Sequence, residues 1–176
     1  MAVDLASLIV EVPDFPRPGI GFKDITPLLS SPGGLAAAVS GLIEASPADV
    51  DVVVGLEARG FLFGPPVALA LGVGFVPVRK PGKLPRDCVS VTFDLEYGSD
   101  TVSMHADALS AGQRVLIVDD VLATGGTVAA TTDLVHQLGA TVVGVAIVVE
   151  LGFLSGRARL TELGLDVRSQ VRFDQP

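Results

Sequence analysis

The sequence predicts an α/β domain in which a parallel β-sheet is flanked by helices. Two strand–helix–strand units predict this fold class, one over residues 50–78 and the other over residues 114–149. Their strands are nearly continuous in Val, Ile and Leu, a pattern typical of a parallel sheet buried on both faces. The chain has 176 residues, 49% hydrophobic and 18% charged, which suits a single domain over residues 1–176 and excludes intrinsic disorder.

Prolines and glycines dominate the chain ahead of the first unit. They are dense over residues 13–32, which predicts an irregular layer over one end of the sheet. We call residues 1–32 the hood. A helix is expected over residues 34–45. The first unit then comprises a strand at 50–56, a helix at 65–71 and a strand at 73–78.

A different kind of segment separates the two units. Residues 81–106, called the flap, begin with Pro and Gly and contain two short β-like runs at 89–93 and 101–105. The polar turn at 97–100 between these runs predicts an antiparallel excursion beside the main sheet. The second unit comprises a strand at 114–118, a helix at 127–138 and a strand at 141–149. The C-terminal residues 160–176 carry no recognisable chemistry.

The charge distribution favours a small anionic ligand. The net charge of −8 argues against sequence-independent binding to the backbone of DNA or RNA. Four of the twelve basic residues nevertheless fall within eight positions, namely Arg79, Lys80, Lys83 and Arg86. A local basic patch on an acidic protein suits a small anion better than a polymer.

Neither disulfides nor membrane segments are expected. Cys88 is the single cysteine, so no disulfide framework is available. The N-terminus lacks a basic region followed by a long apolar run, and the longest aliphatic stretch, residues 142–149, is too short to span a bilayer. We therefore expect a cytoplasmic protein that does not bind membranes.

The most informative stretch is residues 115–127. A buried strand leads to two adjacent carboxylates, and a Thr-Gly-Gly-Thr turn then opens a helix. A helix start offers free N–H groups and the positive end of the helix dipole, where phosphate binds well. Glycines allow close approach of the backbone, and threonine hydroxyls add donors. The predicted phosphate contacts are Ala123, Thr124, Gly125, Gly126 and Thr127.

The carboxylates of Asp119 and Asp120 call for a different partner. Acidic groups repel phosphate, so these two carboxylates should face sugar hydroxyls or a bound Mg²⁺, which they would contact directly or through water. A phosphate at one end and a diol at the other describe a ribose 5-phosphate. The alternative interpretation is a strand end followed by a glycine-rich turn with no ligand.

This stretch resembles the 5-phosphoribosyl 1-pyrophosphate (PRPP) binding motif of the type I phosphoribosyltransferases. Further signatures agree, over a match from about residue 13 to residue 156. They are Phe15-Pro16-Arg17-Pro18-Gly19, Phe22-Lys23-Asp24-Ile25, Glu57-Ala58-Arg59-Gly60-Phe61, Arg79-Lys80-Pro81-Gly82-Lys83-Leu84-Pro85 and Leu95-Glu96-Tyr97-Gly98. The presence of all these segments in this order resembles the members of the family that act on adenine. The resemblance implies the type I phosphoribosyltransferase fold, with its hood and flap.

The resemblance also implies roles for the basic residues around the leaving pyrophosphate. Arg59 is expected to bind it in the turn after the first parallel strand and to act as a catalytic group. Arg79 and Lys83 follow the next strand, and the family pattern places them around the same pyrophosphate. Lys80 is not assigned to this group. In the family the turn at Glu57–Ala58 often carries a non-proline cis peptide bond, which we expect here.

The base side is assigned by resemblance to the hood and the flap. Glu96 is expected to exchange a proton with the purine during transfer, since a carboxyl group can take up or donate a proton in a water-poor site. Phe22 can stack on a flat base, and the backbone of Gly21 and Lys23 can bind its edge. Many family members have Arg at Lys23, which matters for base affinity only if a side chain makes the contact.

The implied reaction is adenine + PRPP → AMP + pyrophosphate, assisted by Mg²⁺, in a homodimer. One rival keeps the chemistry and changes the base to hypoxanthine, guanine or xanthine. A second rival is a non-enzymatic PRPP-sensing module, since folds are reused for regulation. Such modules usually carry a DNA-binding segment, and no basic helix-turn-helix region is visible here.

Overall fold

A computed structural model describes residues 3–94 and 98–176. After a short 3₁₀ turn at Ala6–Leu8, the chain alternates strands and helices. The strands are β1 (Val10–Val12), β2 (Phe22–Asp24), β3 (Val52–Leu56), β4 (Gly74–Val78), β5 (Cys88–Asp94), β6 (Ser99–His105), β7 (Arg114–Leu122), β8 (Thr141–Leu151) and β9 (Val167–Phe173). The helices are α1 (Thr26–Ser30), α2 (Pro32–Glu44), α3 (Gly60–Leu71), α4 (Gly126–Gln137) and α5 (Gly156–Glu162).

The centre of the fold is a five-stranded parallel sheet in the order β4-β3-β7-β8-β9. Every residue of β3 is buried, and β7 and β8 are buried over most of their length. This confirms the parallel sheet that the aliphatic runs predicted. Because all five strands run in one direction, their carboxyl ends meet at one edge, where ligands of such sheets bind.

Helices cover both faces of the sheet. One face packs against α1, α2 and α3 through residues such as Leu28, Leu42 and Phe63. The other face packs against α4 and α5 through residues such as Leu134 and Leu160. The architecture is therefore a three-layer α/β domain, in which each of the two helical layers excludes water from one face of the sheet.

The flap forms the predicted antiparallel pair, β5 with β6. Its inner side is part of the core, because Val102 and Met104 are almost completely buried against the α4 side of the sheet. A two-way backbone hydrogen-bonded bridge between Arg79 and Ser103 connects β6 to the end of β4. The base of the flap is thus attached where the basic patch begins.

The hood is more regular than predicted. Residues 13–32, expected to be irregular, contain β2, which pairs antiparallel with β1, and the short helix α1. The helix expected from residue 34 begins at Pro32 instead. Ser31 explains the earlier start, because its hydroxyl accepts the N–H of Gly34, and proline fits a first helical position.

Three other expectations about element bounds are corrected. The helix expected at 65–71 begins at Gly60 and continues through Pro65 and Pro66, because Phe63 and Val67 bury their side chains between α2 and the sheet. Strand β7 runs to Leu122 rather than ending at 118, since its last residues pair with β8. Residues 160–176, over which no element was predicted, contain the end of α5 and the edge strand β9.

Among the helices of residues 3–94 and 98–176, none is both long enough and apolar enough to cross a membrane.

Candidate active site

Three connections meet at the carboxyl edge of the sheet. The turn after β3 comprises residues 57–60 and is called the arginine turn. The segment after β4 carries the basic patch, and the turn after β7 comprises residues 123–127, called the phosphate loop. The parallel order β4-β3-β7 makes them neighbours, so the fold brings together the groups that the sequence placed in three separate motifs.

The phosphate loop ends in a helix start built from glycine. Gly125 adopts a left-handed backbone conformation with φ of 76° at the N-cap of α4, a conformation that glycine adopts without strain. The loop and the flanking residues Asp119 and Val128 line a small cavity of about 70 Å³. Because the first N–H groups of a helix have no acceptor within it, they are available to an anion in this cavity.

Asp119 and Asp120 lie inside β7, so their side chains leave opposite faces of the strand. Asp120 is 5% exposed and forms an ion pair with Nε of Arg59. Asp119 accepts the N–H of Asp120 at 2.9 Å. Burial, followed by repulsion from Asp120, raises the pKa of Asp119 well above its ordinary value. Asp120 is therefore paired with a cation, whereas the charged form of Asp119 is disfavoured.

The arginine turn packs directly on these carboxylates. A Cβ at Gly60 would lie 2.8 Å from Oδ1 of Asp119, so glycine permits the close approach of α3 to β7. The Glu57–Ala58 peptide bond is cis, which confirms the expectation. Arg59 bridges two parts of the site, since its guanidinium pairs with Asp120 and also lies 5.5 Å from the ring centroid of Phe22.

The basic patch is held by carboxylates. Arg79 donates from Nη2 to Oε1 of Glu57 at 2.9 Å and from Nη1 to the carbonyl oxygen of Lys83 at 3.2 Å. The N–H of Lys80 donates to the other oxygen of Glu57 at 2.8 Å. The hydrogen bonds from Arg79 and Lys80 lower the pKa of Glu57. Lys80 itself pairs with Asp100 of the flap, while Lys83 is exposed.

On the hood side, Phe22 faces a cavity of about 280 Å³ that Val12, Phe15 and Asp24 also line. The rings of Phe15 and Phe22 meet edge to face, with centroids 5.0 Å apart. This aromatic pair lies next to Arg59. The structure therefore places the predicted base-stacking residue beside the arginine turn.

The side chain of Lys23 is engaged elsewhere. Its ammonium group pairs with Glu11 at 2.7 Å and lies 4.9 Å from the ring centroid of Phe173, and the side chain is only 4% exposed. Gly21 is half-buried near Glu11 and the C-terminal Pro176. Of the two ways in which Lys23 could affect base affinity, this arrangement favours contact through the backbone.

Glu96, the predicted proton carrier, lies outside the described residues.

Sequence reasoning missed three residues that pack against the phosphate loop, namely Phe93, Gly156 and Arg159. A Cβ at Gly126 would meet the ring of Phe93 at 3.1 Å and Nη1 of Arg159 at 3.5 Å, so the flap and α5 both pack on the start of α4. Gly156, at the start of α5, packs against Ala123 and Gly125 of the loop. The sequence carries only a weak signal for these contacts, because Gly156 and Arg159 lie far along the chain from the phosphate loop and nothing in their own segment indicates where it packs.

Comparison with known proteins agrees with this geometry. The sequence profile of the phosphoribosyl transferase domain family matches residues 27–164, so the chain belongs to that class of transferase. An adenine phosphoribosyltransferase of Cutibacterium acnes is 62% identical over 161 residues, covering 92% of this chain and 91% of the relative. Another, from Solibacter usitatus, is 57% identical over 98% of this chain and 99% of the relative.

Solved structures support the same assignment. The adenine phosphoribosyltransferase of Thermoanaerobacter pseudethanolicus superposes with a TM-score of 0.92 at 49% identity, covering 96% of this chain and 98% of that one. The Giardia lamblia enzyme in complex with 9-deazaadenine gives 0.91 at 38% identity, covering 98% and 97%. The chain belongs to the adenine phosphoribosyltransferase family and has the enzymatic activity of that family.

Proposed function

We propose that the chain transfers the 5-phosphoribosyl group of PRPP to adenine at the carboxyl edge of its sheet, releasing pyrophosphate and forming AMP. The proposal rests on one observation: the phosphate loop, the Asp119–Asp120 pair and the arginine turn lie in contact with one another at one edge of the sheet. A phosphate site, hydroxyl acceptors and cations for a leaving group are the three components that transfer from PRPP requires. The biological setting would be purine salvage.

The phosphate loop would hold the 5-phosphate. Gly125, Gly126 and the N–H groups at the start of α4 supply main-chain donors, and Thr124 and Thr127 supply hydroxyls. Ala123 completes the turn. The carboxylates of Asp119 and Asp120 would then accept hydrogen bonds from the ribose hydroxyls, because they lie just before the loop on the same strand.

Arg59, Arg79 and Lys83 would bind the pyrophosphate as it leaves. Arg59 and Arg79 are paired with Asp120 and Glu57, so both guanidinium groups are already oriented at the edge of the sheet. Planar guanidinium groups donate two parallel hydrogen bonds to phosphate oxygens, which suits a leaving group of high negative charge. Stabilisation of that charge lowers the barrier to breaking the C1–O bond.

The carboxylates also fit Mg²⁺. No cluster of three potential metal ligands occurs within residues 3–94 and 98–176, so Asp119 and Asp120 could contribute at most two ligands, directly or through water. This suits Mg²⁺, which keeps several waters and combines one or two carboxylates with substrate phosphates. When bound, the ion would neutralise part of the pyrophosphate charge.

Adenine would lie against the hood. Phe22 would stack on the base, and the backbone of Gly21 and Lys23 would contact its edge, since the Lys23 side chain is already paired with Glu11. By resemblance, Glu96 would take the proton that the purine loses as N9 attacks C1.

The assembly is proposed to be a homodimer in the cytoplasm. The resemblance implies the dimer, and α3 presents large exposed apolar side chains that a partner subunit would cover, with Leu62 46% and Leu69 81% exposed. Leu62 also borders a groove of about 420 Å³ between α2 and α3. Sedimentation equilibrium should give twice the 18.1-kDa mass of one chain. A single species at the mass of one chain would contradict the dimer.

The direct test is incubation with adenine, PRPP and MgCl₂, with AMP and pyrophosphate separated by chromatography. Addition of EDTA should stop product formation if Mg²⁺ takes part. Parallel reactions with hypoxanthine, guanine and xanthine test the choice of base. PRPP binding without formation of any nucleotide would contradict the enzymatic proposal and favour a sensing module.

Glu96→Gln tests the proton-transfer role. Glutamine keeps the size of the side chain but cannot exchange a proton at neutral pH, so kcat should fall by about 10²–10⁴-fold, the usual range for general acid–base catalysis. The KM for PRPP should change little, because the phosphate loop is untouched. Retention of more than half the turnover, where chemistry limits the rate, would assign proton transfer to water or to pyrophosphate.

A further inference from the structure

Gly156, at the N-terminus of α5, contacts the backbone of the phosphate loop through its own backbone. A Cβ at Gly156 would lie only 2.1 Å from the carbonyl oxygen of Ala123 and 3.1 Å from the amide nitrogen of Gly125. The contact is reciprocal, since a Cβ at Gly125 would lie 3.0 Å from the carbonyl oxygen of Gly156. Gly156 therefore lets two main-chain segments approach more closely than any side chain would allow.

Arg157, the next residue, anchors this contact to the sheet. It donates from Nε to Oε1 of Glu150 at 2.8 Å, and its Nη2 pairs with the other oxygen of that carboxylate. It also donates from Nη1 to the carbonyl oxygen of Val167 at 2.7 Å and from Nη2 to the hydroxyl of Ser169 at 3.0 Å. One side chain thus connects the start of α5 to two neighbouring strands of the main sheet.

Glu150 makes this anchor rigid. It is 1% exposed near the end of β8, and it also accepts hydrogen bonds from the Ser169 hydroxyl and from Nη1 of Arg172 at 2.9 Å. A buried carboxylate with this many donors holds a single position, because the loss of any donor would leave a charge uncompensated away from water.

We propose that Gly156 and the Glu150–Arg157 pair are positioning residues for the phosphate loop. The ion pair fixes the start of α5, and the backbone of Gly156 fixes the loop in the conformation that receives the 5-phosphate. This inference rests on the proposed function, in which that loop binds the phosphate of PRPP. Gly156 and Arg157 act on the substrate only through the loop, so their loss should affect PRPP and leave adenine almost unaffected.

Gly156→Ala tests the contact. The added Cβ must displace the loop by about 1 Å, and a misplacement of that size can cost about 10²-fold. We expect the KM for PRPP and the inhibition constant of ribose 5-phosphate to rise by about that factor, with the KM for adenine within twofold of wild type. Gly74→Ala is the matched control, because a Cβ there meets nothing within 4 Å. It should change neither constant.

Arg157→Lys provides a second route if Gly156→Ala does not fold. Lysine keeps the charge but cannot donate a parallel pair of bonds to Glu150 and reach Val167 as well, so a smaller rise of about tenfold in the KM for PRPP is expected. Thermal unfolding is measured for each variant. A lower Tm with unchanged kinetics, or an equal rise in the KM values of PRPP and adenine, would overturn the positioning role.

Thr127→Ala separates this inference from the proposed function. Loss of a hydrogen bond to a charged phosphate should raise the KM for PRPP by about tenfold. If Thr127→Ala leaves PRPP binding unchanged, the loop is not the phosphate site and the proposed function fails there. If Thr127→Ala weakens PRPP binding while Gly156→Ala and Arg157→Lys do not, only the positioning role is wrong.

Discussion

The arginine turn and the phosphate loop follow adjacent parallel strands and open onto the same edge of the sheet, yet they offer anions different groups. The phosphate loop presents main-chain N–H groups, with a shape set by Gly125 and its contact with Gly156. The arginine turn presents a guanidinium group, and the neighbouring Arg79 another, each paired with a carboxylate. The same strand–turn–helix arrangement therefore presents two different sets of hydrogen-bond donors at one edge of the sheet.

The difference predicts opposite sensitivities to mutation. A main-chain site needs no particular side chain, but it cannot accept an added Cβ where the backbone is tightly packed. A side-chain site tolerates local backbone variation, but it depends on the charge and geometry of the guanidinium and on the carboxylate that orients it. In the proposed function, the main-chain site would bind the phosphate monoester of PRPP and the side-chain site its pyrophosphate.

Of the two regions compared, the arginine turn should show the larger effect on catalysis. Arg59→Ala removes the donor proposed for the pyrophosphate and leaves buried Asp120 without its ion pair, so kcat/KM for PRPP should fall by about 10²–10³-fold, the usual cost of one lost transition-state donor. Arg59→Lys, measured alongside by steady-state kinetics, should recover only part of the loss. Full activity in Arg59→Lys would show that charge alone is needed.

A smaller effect is expected from crowding the phosphate loop. Gly126→Val places a branched side chain against the ring of Phe93, which a Cβ already meets at 3.1 Å. Overpacking of this kind typically costs about 1–3 kcal/mol, and here the strain would fall on the loop conformation proposed to bind PRPP, so the apparent dissociation constant of PRPP should rise by about fivefold to 150-fold. Calorimetry measures it directly. Unchanged PRPP binding would show that this turn has no part in the phosphate site.

The smallest effects concern stability and have opposite signs at the two sites. The pKa of Glu57 is lowered, so its contribution to stability is present above its ordinary pKa of 4.5 and is lost as the pH falls through the lower folded-state value. Glu57→Gln should therefore reduce the Tm at pH 7 and flatten the decline of Tm below about pH 5. An unaltered acid profile would show that the Glu57–Arg79 pair contributes nothing to folding.

Asp119 should behave in the opposite way. Its pKa is raised, so its ionisation destabilises the folded state as the pH rises from its ordinary pKa of 3.8 through the higher folded-state value. Asp119→Asn keeps the acceptor for the Asp120 N–H and should raise the Tm at pH 7, because the neutral amide does not lose stability by ionisation. A lower Tm would contradict electrostatic strain at Asp119.

Much of the site was predictable from sequence because its groups are local. The phosphate loop is a continuous run from Asp119 to Thr127, and the carboxyl ends of parallel strands are bound to share an edge. Element bounds were less predictable. Helix α3 continues through Pro65 and Pro66, and β7 includes both aspartates, because burial and strand pairing outweighed the local signals.

The sequence by itself determined the class of the fold, the strands and helices of its two strand–helix–strand units, and the position of the Thr-Gly-Gly-Thr turn after β7, because periodicity and turn chemistry are properties of neighbouring residues. Only the tertiary structure decided which carboxylate holds which cation, that Lys23 points to Glu11, and that Gly156 supports a loop thirty residues earlier in the chain. Those contacts join residues far apart in sequence, and packing alone determines which of them meet.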